Sequence, residues 1–349
     1  VFFFEKKNQK TFFPFAHAAG EECAHSQKFF ASFFQKRSAF FFLESLMFTI
    51  PDQTGRIIAI TGATSGLGLV CAQMLAARGA ELVLAVRNTA NGETVAAGIR
   101  AKHPGAKITV SALDLASLAS VAEFARRADG TLPRLDVLMN NAGLGMQPER
   151  HTTKDGFEQQ FGTNHLGHFA LTAQLIPTLL RAPAPRVVPV ASMAHRRGKI
   201  AWDDLQTERP YDGRVAYNQS KLANLMFGLE LAARATEQGS RLASIPAHPG
   251  FSMTGFIKAT EMPGWKQSVA NLAGVLLGQS AEAGAAPQLY AATMPDAKNG
   301  EYWGPDGMLE IRGKPAVGKV WPHATNRADW QRLWGISEEL TGQHFPALT

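Results

Sequence analysis

The sequence predicts an α/β fold, a single doubly wound parallel sheet with helices on both faces. Three observations predict it. Short apolar runs rich in β-branched residues alternate with helical stretches from Ile57 onward. The first of these runs passes through glycines directly into a helical pattern between Ile57 and Gly68. No internal repeat and no linker divides the chain from Met47 to its end. Strands joined through helices run parallel and need cover on both faces. Right-handed crossovers then bring every strand's C-terminal end, and the loop after it, to one edge, where binding residues should lie.

Taken in order, residues 1–46 stand apart. Phenylalanine dominates there, mixed with Lys, Gln and Ser, and neither strand nor helix periodicity holds. The segment lacks the pattern of a signal peptide or a transit peptide. A partner- or membrane-surface tail, a disordered tail, and a segment foreign to the native protein all fit it. The last is favoured, with Met47 as the expected start and residues 47–349 as one domain.

The run Ile57, Ile58, Ile60 and Thr61 reads as a buried strand, followed by Gly62, Gly66 and Gly68 and a helix carrying Leu69, Val70, Met74 and Leu75. Glycines let the backbone turn sharply, and free N–H groups at a helix start face an anion. The spacing is G-x-x-x-G-x-G rather than G-x-G-x-x-G. A glycine turn that binds nothing is the plain alternative. Further strands are expected at Leu82 to Val86, Ile108 to Ala112, Leu135 to Met139, Arg186 to Ala191 and Leu242 to Ala247. Helices are expected up to about Lys102, at Leu118 to Arg127, from about Asp155 to Leu180, and from about Val215 to Thr236.

Composition narrows the function classes. A net charge of +6 over 349 residues, with no basic block longer than two, gives no footprint for nucleic acid. No run of eighteen apolar residues occurs, so no membrane span is expected. Two distant cysteines, Cys23 and Cys71, make neither a disulfide framework nor a Cys-rich metal site. A reducing, cytoplasmic setting is expected. His165, His168, His195 and His248 read as core or capping residues, because no third ligand accompanies them at a metal-binding spacing.

The strand ends carry the chemistry. Arg87 follows the second strand, where an acid would bind the two ribose hydroxyls of NAD and an arginine suits the 2′-phosphate of NADP. Asp114 and Leu115 follow the third; Asp114 could accept from an adenine amino group or cap a helix, for which Ser117 is the better candidate. Asn140, Asn141, Ala142 and Gly143 follow the fourth and let backbone press against a ligand. Ser192 ends the fifth. Tyr217 and Lys221, four apart, share one helix face. A phenol is a poor acid near neutrality, and a neighbouring ammonium lowers its pKa.

Together these residues resemble the short-chain dehydrogenase/reductase family, whose fold is a Rossmann-like sheet. The pattern is Thr61-Gly62-x-x-x-Gly66-x-Gly68, Asn140-Asn141-Ala142-Gly143, Asn164, Ser192, Tyr217-x-x-x-Lys221, and Pro249-Gly250 with Thr254. Within it, Thr163-Asn164-His165-Leu166-Gly167-His168-Phe169, Tyr217-x-x-Ser220-Lys221-Leu222-Ala223-Asn224, Ala247-His248-Pro249-Gly250 and Arg332-Leu333-Trp334 look most like the retinol dehydrogenase and protochlorophyllide reductase-like branch.

The resemblance implies an oxidoreductase interconverting an alcohol and a carbonyl, with NADP(H) preferred over NAD(H). Tyr217 would be the acid/base, Ser192 would bind the substrate oxygen, Lys221 would tune Tyr217 and hold the ribose, and Asn164 would hold a water linking Lys221 to solvent. Cofactor contacts are expected from Gly62, Thr64, Ser65, Gly66, Leu67, Gly68, Arg87, Asp114, Leu115, Asn141, Ala142, Gly143, Tyr217, Lys221, Pro249, Gly250 and Thr254. The apolar stretch Phe251 to Gly278 would cover a lipophilic substrate, and helices 155–180 and 215–236 would form a homodimer. A catalytically silent NADP-binding sensor or scaffold and a non-redox epimerase are the rival readings.

Overall fold

The computed structural model describes residues 49–251 and 279–349. The Phe-rich segment 1–46, Met47, Thr254 and nearly all of the expected substrate cover lie outside the described residues.

The chain alternates as expected: β1 (Ile57–Thr61), α1 (Gly66–Ala76), β2 (Glu81–Val86), α2 (Thr89–Lys102), β3 (Ile108–Ala112), α3 (Leu118–Thr131) and β4 (Val137–Asn140). A short turn, Gln159–Phe161, and a π-helical turn, Gly162–Leu166, lead into α4 (Gly167–Leu180). Then follow β5 (Arg186–Pro189), α5 (Gly213–Glu237), β6 (Ala243–Ser244) and α6 (Ala281–Thr293). The chain closes with an antiparallel pair, β7 (Trp303–Pro305) and β8 (Pro315–Val317), and with α7 (Arg327–Thr341).

The six-stranded sheet has the order β3-β2-β1-β4-β5-β6 and is parallel throughout. Its central strand β1 is buried along its whole length, as a sheet covered on both faces requires. The chain winds outward from β1 to β3, then reverses through β4. Ligands bind at such a reversal, outside the strand ends. The loops after β1 and β4 therefore flank the crevice. At the opposite end of these two strands Asp136 ties them together: its Oδ2 accepts the Ile57 N–H at 2.8 Å.

Among the boundaries that differ from the expectation, three have a local reason. Regular pairing in β5 and β6 stops early because Pro189 and Pro246 have no N–H to donate. Pairing resumes as a single bridge between Val190 and Ala247. The helix expected from Asp155 starts later and is widened by the π-helical turn that holds Asn164.

One face of the sheet packs under α3, α4 and α5 with Val121, Phe124, Leu171, Leu175, Phe227 and Trp334 in a single core. The Trp334 ring of α7 lies 5.1 Å from Phe169 of α4 and 5.8 Å from Phe227 of α5. Ser337 Oγ sits 2.8 Å from His165 Nε2. The chain's own last helix thus covers part of the two stretches expected to face a second copy. Among the described residues no helix is long and apolar enough to cross a membrane.

Candidate active site

The crevice is organised by Thr61, the last residue of β1. Its Oγ1 accepts the Asn141 and Ala142 N–H groups, each at 2.9 Å, and lies 2.9 Å from His168 Nε2. A hydroxyl has two acceptor sites and one proton. With both sites filled, the proton faces His168 Nε2, the nearer acceptor, with Met139 O at 3.3 Å, and the ring's Nδ1–H donates to the Asn164 carbonyl at 2.8 Å. The count closes only for a neutral imidazole, and burial pushes His168 down to about 4. Thr61 and His168 thereby tie the start of the glycine loop to the turn that carries Asn164.

The glycine loop is close-packed. Gly62 and Gly66 adopt positive φ, +68° and +54°, which favours glycine. A Cβ on Gly68 would meet Gly62 O and Asn141 Nδ2 at 2.5 Å, so backbone presses on backbone there. Ser65 stands at the α1 N-cap without a side-chain capping bond, leaving N–H groups of the first turn available with Thr64 and Leu67 beside them. This arrangement fits an anion. Arg87 follows β2, exposed and without an ion pair among the described residues. Asp114 accepts the Ala116 N–H at 3.1 Å and pairs with Lys154 at 3.1 Å, while Ser117 caps α3. Leu115 is buried in the core beneath the same edge.

The second wall of the crevice comes from α5. Asp212 caps it by accepting the Arg214 N–H at 2.8 Å. Tyr217 and Lys221 follow one turn apart, 7% and 3% exposed. Lys221 Nζ donates to Val190 O at 3.1 Å and lies 6.0 Å from the Tyr217 ring centroid. A Cβ on Gly143 would be 3.2 Å from that Nζ and 3.4 Å from Asn164 Oδ1, so the three residues converge. Both Asn164 amide protons are used, Nδ2 donating to Leu144 O at 3.1 Å and Ser220 Oγ at 3.0 Å, while Oδ1 accepts the Leu144 N–H at 2.7 Å. Ser192 caps the turn Met193–Arg197, and its hydroxyl hydrogen-bonds Tyr217.

Electrostatics follows from burial. Burial pushes the Lys221 ammonium down to about 8, and among the described residues no carboxylate pairs with it to repay the desolvation. The Tyr217 phenol is pushed up to about 12 by burial, with the Ser192 hydrogen bond opposing. Burial, not the neighbouring Lys221 ammonium, sets the direction of the Tyr217 shift, opposite to the expectation. The phenol keeps its proton at neutral pH and can give it to an oxygen held between Tyr217 and Ser192.

On the far side of the site, sequence reasoning named Pro249 and Gly250 but missed what packs behind them. His248 ends the β6 connection, and Pro249 and Gly250 follow; Gly250 has φ +67° and its N–H donates to His248 Nδ1 at 3.2 Å. Phe251 N–H donates to Ile311 O at 2.8 Å, in the connection between β7 and β8. Nothing local in that short hairpin announces that it packs against loops 62 and 114 residues earlier.

The family model for short chain dehydrogenases matches residues 56–262. Retinol dehydrogenase 13 of Homo sapiens is 37% identical over 305 residues, covering 86% of this chain and 88% of its own. A solved, uncharacterized protein from Mycobacterium paratuberculosis is 39% identical with a TM-score of 0.70, covering 85% of this chain and 97% of its own. A short chain dehydrogenase from Escherichia coli CFT073, solved in complex with NADPH, is 25% identical with a TM-score of 0.54, covering 72% and 98%. Further relatives also carry the name retinol dehydrogenase, among them one from Mus musculus at 35% identity. The chain belongs to the short-chain dehydrogenase family of oxidoreductases, in its retinol dehydrogenase-like branch.

Proposed function

We propose that the chain is an NADP(H)-dependent oxidoreductase interconverting an alcohol and a carbonyl on a lipophilic substrate. The convergence of Ser192, Tyr217, Lys221 and Asn164 on one crevice carries this reading. The glycine loop, closed by Gly62, Gly66 and Gly68, would receive the pyrophosphate at the start of α1. Arg87 at the end of β2 stands where a 2′-phosphate would need a cation. NADPH in the E. coli relative and the retinol named in the relatives' titles agree with that choice.

The nicotinamide supplies the hydride. The protein supplies position and charge. In the direction of reduction, Ser192 donates to the carbonyl oxygen and stabilises its growing charge. Tyr217, protonated at neutral pH, delivers its proton to that oxygen. Lys221, with a pKa of about 8, carries a proton that can follow the one leaving Tyr217, and Asn164 holds the wall that confines it. Asp114, Leu115, Asn141, Ala142 and Gly143 would border the adenosine and ribose, with Pro249, Gly250 and Thr254 toward the carboxamide.

The test is a panel of aldehydes and ketones with NADPH and NADH, following absorbance and product together. The expected result is stoichiometric NADPH oxidation, faster than with NADH. Binding without turnover would favour a silent sensor, and isomerised product without net NADPH consumption an epimerase.

A further inference from the structure

We propose that Glu310 is a positioning residue for the active site, fixing the tautomer of His248 and anchoring Arg196, so that one carboxylate sets both the Pro249-Gly250 turn and the Ser192 loop. The claim rests on the proposed oxidoreductase reading for what those two loops do, but its geometry stands independently.

Glu310 Oε2 accepts from His248 Nε2 at 3.0 Å and from Arg196 Nη2 at 2.5 Å, and Oε1 accepts the Lys319 N–H at 2.9 Å. The other ring nitrogen, His248 Nδ1, accepts the Gly250 N–H at 3.2 Å. A nitrogen that accepts carries no proton. His248 is therefore neutral with its proton on Nε2, and the carboxylate selects that form. The ring has no freedom to move away: it is fully buried, and a Cβ on Gly304 of β7 would fall 2.0 Å from Nε2. Gly250, held by the other nitrogen, has its own Cβ position blocked by Ile311 O at 2.4 Å.

The second arm is Arg196. It lies in the turn Met193–Arg197 that Ser192 caps, and its Nη1 donates to Leu309 O at 2.8 Å. In the same turn, His195 Nδ1 donates to Ser192 O at 2.7 Å, with Tyr302 Oη 3.2 Å from that nitrogen. The backbone is strained where the two arms meet. Leu309 and Glu310 both take left-handed φ, 54° and 53°, a conformation that neither side chain favours. Strain of this kind persists where surrounding contacts over-determine it. Here it aims Glu310 inward at two loops that precede it by 114 and 62 residues.

The experiment uses the full chain with ¹⁵N-labelled histidine, as wild type, Glu310→Gln and Glu310→Asp. Ring-nitrogen shifts read the His248 tautomer, and hydrogen exchange reads the Gly250 amide, both without substrate. Steady-state kinetics with NADPH and a carbonyl that the wild type reduces give kcat and KM. The wild type should show the neutral Nε2–H form. In Glu310→Gln an amide can no longer accept from all three donors. The Nε2–H form should lose population, the Gly250 amide should exchange at least tenfold faster, and kcat should fall about tenfold or more. NADPH affinity, for which the glycine loop stays intact, should fall less than kcat, by no more than about threefold. Glu310→Asp keeps the charge and should recover part of the loss in kcat. A wild-type His248 protonated on Nδ1, or a Glu310→Gln chain with the wild-type tautomer or the wild-type kcat, would overturn the proposal. A wild type that reduces no carbonyl would instead sink the oxidoreductase reading, and the tautomer and exchange data would still decide the role of Glu310.

Discussion

Gly68→Ala tests the glycine loop by adding one carbon where the structure leaves no room. The new Cβ would lie 2.5 Å from Gly62 O and from Asn141 Nδ2, whereas ordinary contact begins at 3.4 Å. Each neighbour must retreat by about 1 Å, a displacement on the scale that disables a precise site. Asn141 Nδ2 is held by Thr61 O at 2.9 Å, and Gly62 O is backbone, so neither is a free side-chain end. Overpacking of this kind costs about 1–3 kcal/mol, offset by about 1 kcal/mol of helix propensity gained over glycine. The net loss of stability should thus be small, at most about 2 kcal/mol. The loss of NADPH affinity should be larger, about 10- to 100-fold, because the loop itself moves. Gly98→Ala is the matched control: it sits on exposed α2 with nothing within 4 Å of the added Cβ. That change should stabilise by about 0.5–1 kcal/mol and leave NADPH binding untouched. Urea unfolding reads stability and nicotinamide fluorescence reads binding. A Gly68→Ala chain that binds NADPH within twofold of wild type would refute the close-approach argument.

Two further outcomes follow from buried groups. Lys221→Met removes an ammonium whose pKa falls from 10.5 to about 8 on folding. A base depressed by folding penalises the folded state fully below pH 8, progressively less up to 10.5, and not above it. The variant should therefore gain up to about 3 kcal/mol over wild type at pH 7 and much less at pH 10, while turnover drops by about 100-fold or more. Asn224 Nδ2 still donates to Val190 O, at 3.3 Å, so no buried carbonyl is left bare. Urea unfolding at the two pH values checks it; an equal gain at both would contradict the burial argument. Trp334→Ala should cost about 3–5 kcal/mol in unfolding free energy, since a 2% exposed ring wedged between Phe169 and Phe227 leaves a cavity that α4 and α5 cannot close. A loss under about 1 kcal/mol would mean that α7 is only loosely docked.

Much of the fold was legible because it is encoded locally. Apolar runs bounded by charge located the six parallel strands, and glycines after Thr61 located the turn into α1. Strand ends named candidate residues because parallel topology sends them to one edge. What stayed hidden depends on distance along the chain. Thr61 meets His168 across 107 residues, and His165 meets Ser337 across 172. A histidine on a helix looks the same in sequence whether it fills the core or joins two loops. The π-helical turn at Asn164 leaves no compositional mark either. The hairpin with Glu310 was opaque for another reason: its two strands have three residues each, too few for a period to emerge. Even the Tyr217 and Lys221 pair was only half readable. The spacing placed both on one face, but the direction of the Tyr217 shift depends on burial, which the spacing does not carry.

The central claim is that Tyr217 gives and takes the substrate proton in an NADPH-dependent carbonyl reduction. The direct measurement is single-turnover NADPH oxidation by Tyr217→Phe against wild type, with NADPH binding measured on the same samples. Removing one hydroxyl should lower the hydride-transfer rate by about 100- to 10,000-fold while leaving NADPH affinity within about threefold. A variant that binds NADPH and reduces the carbonyl at the wild-type rate would contradict it.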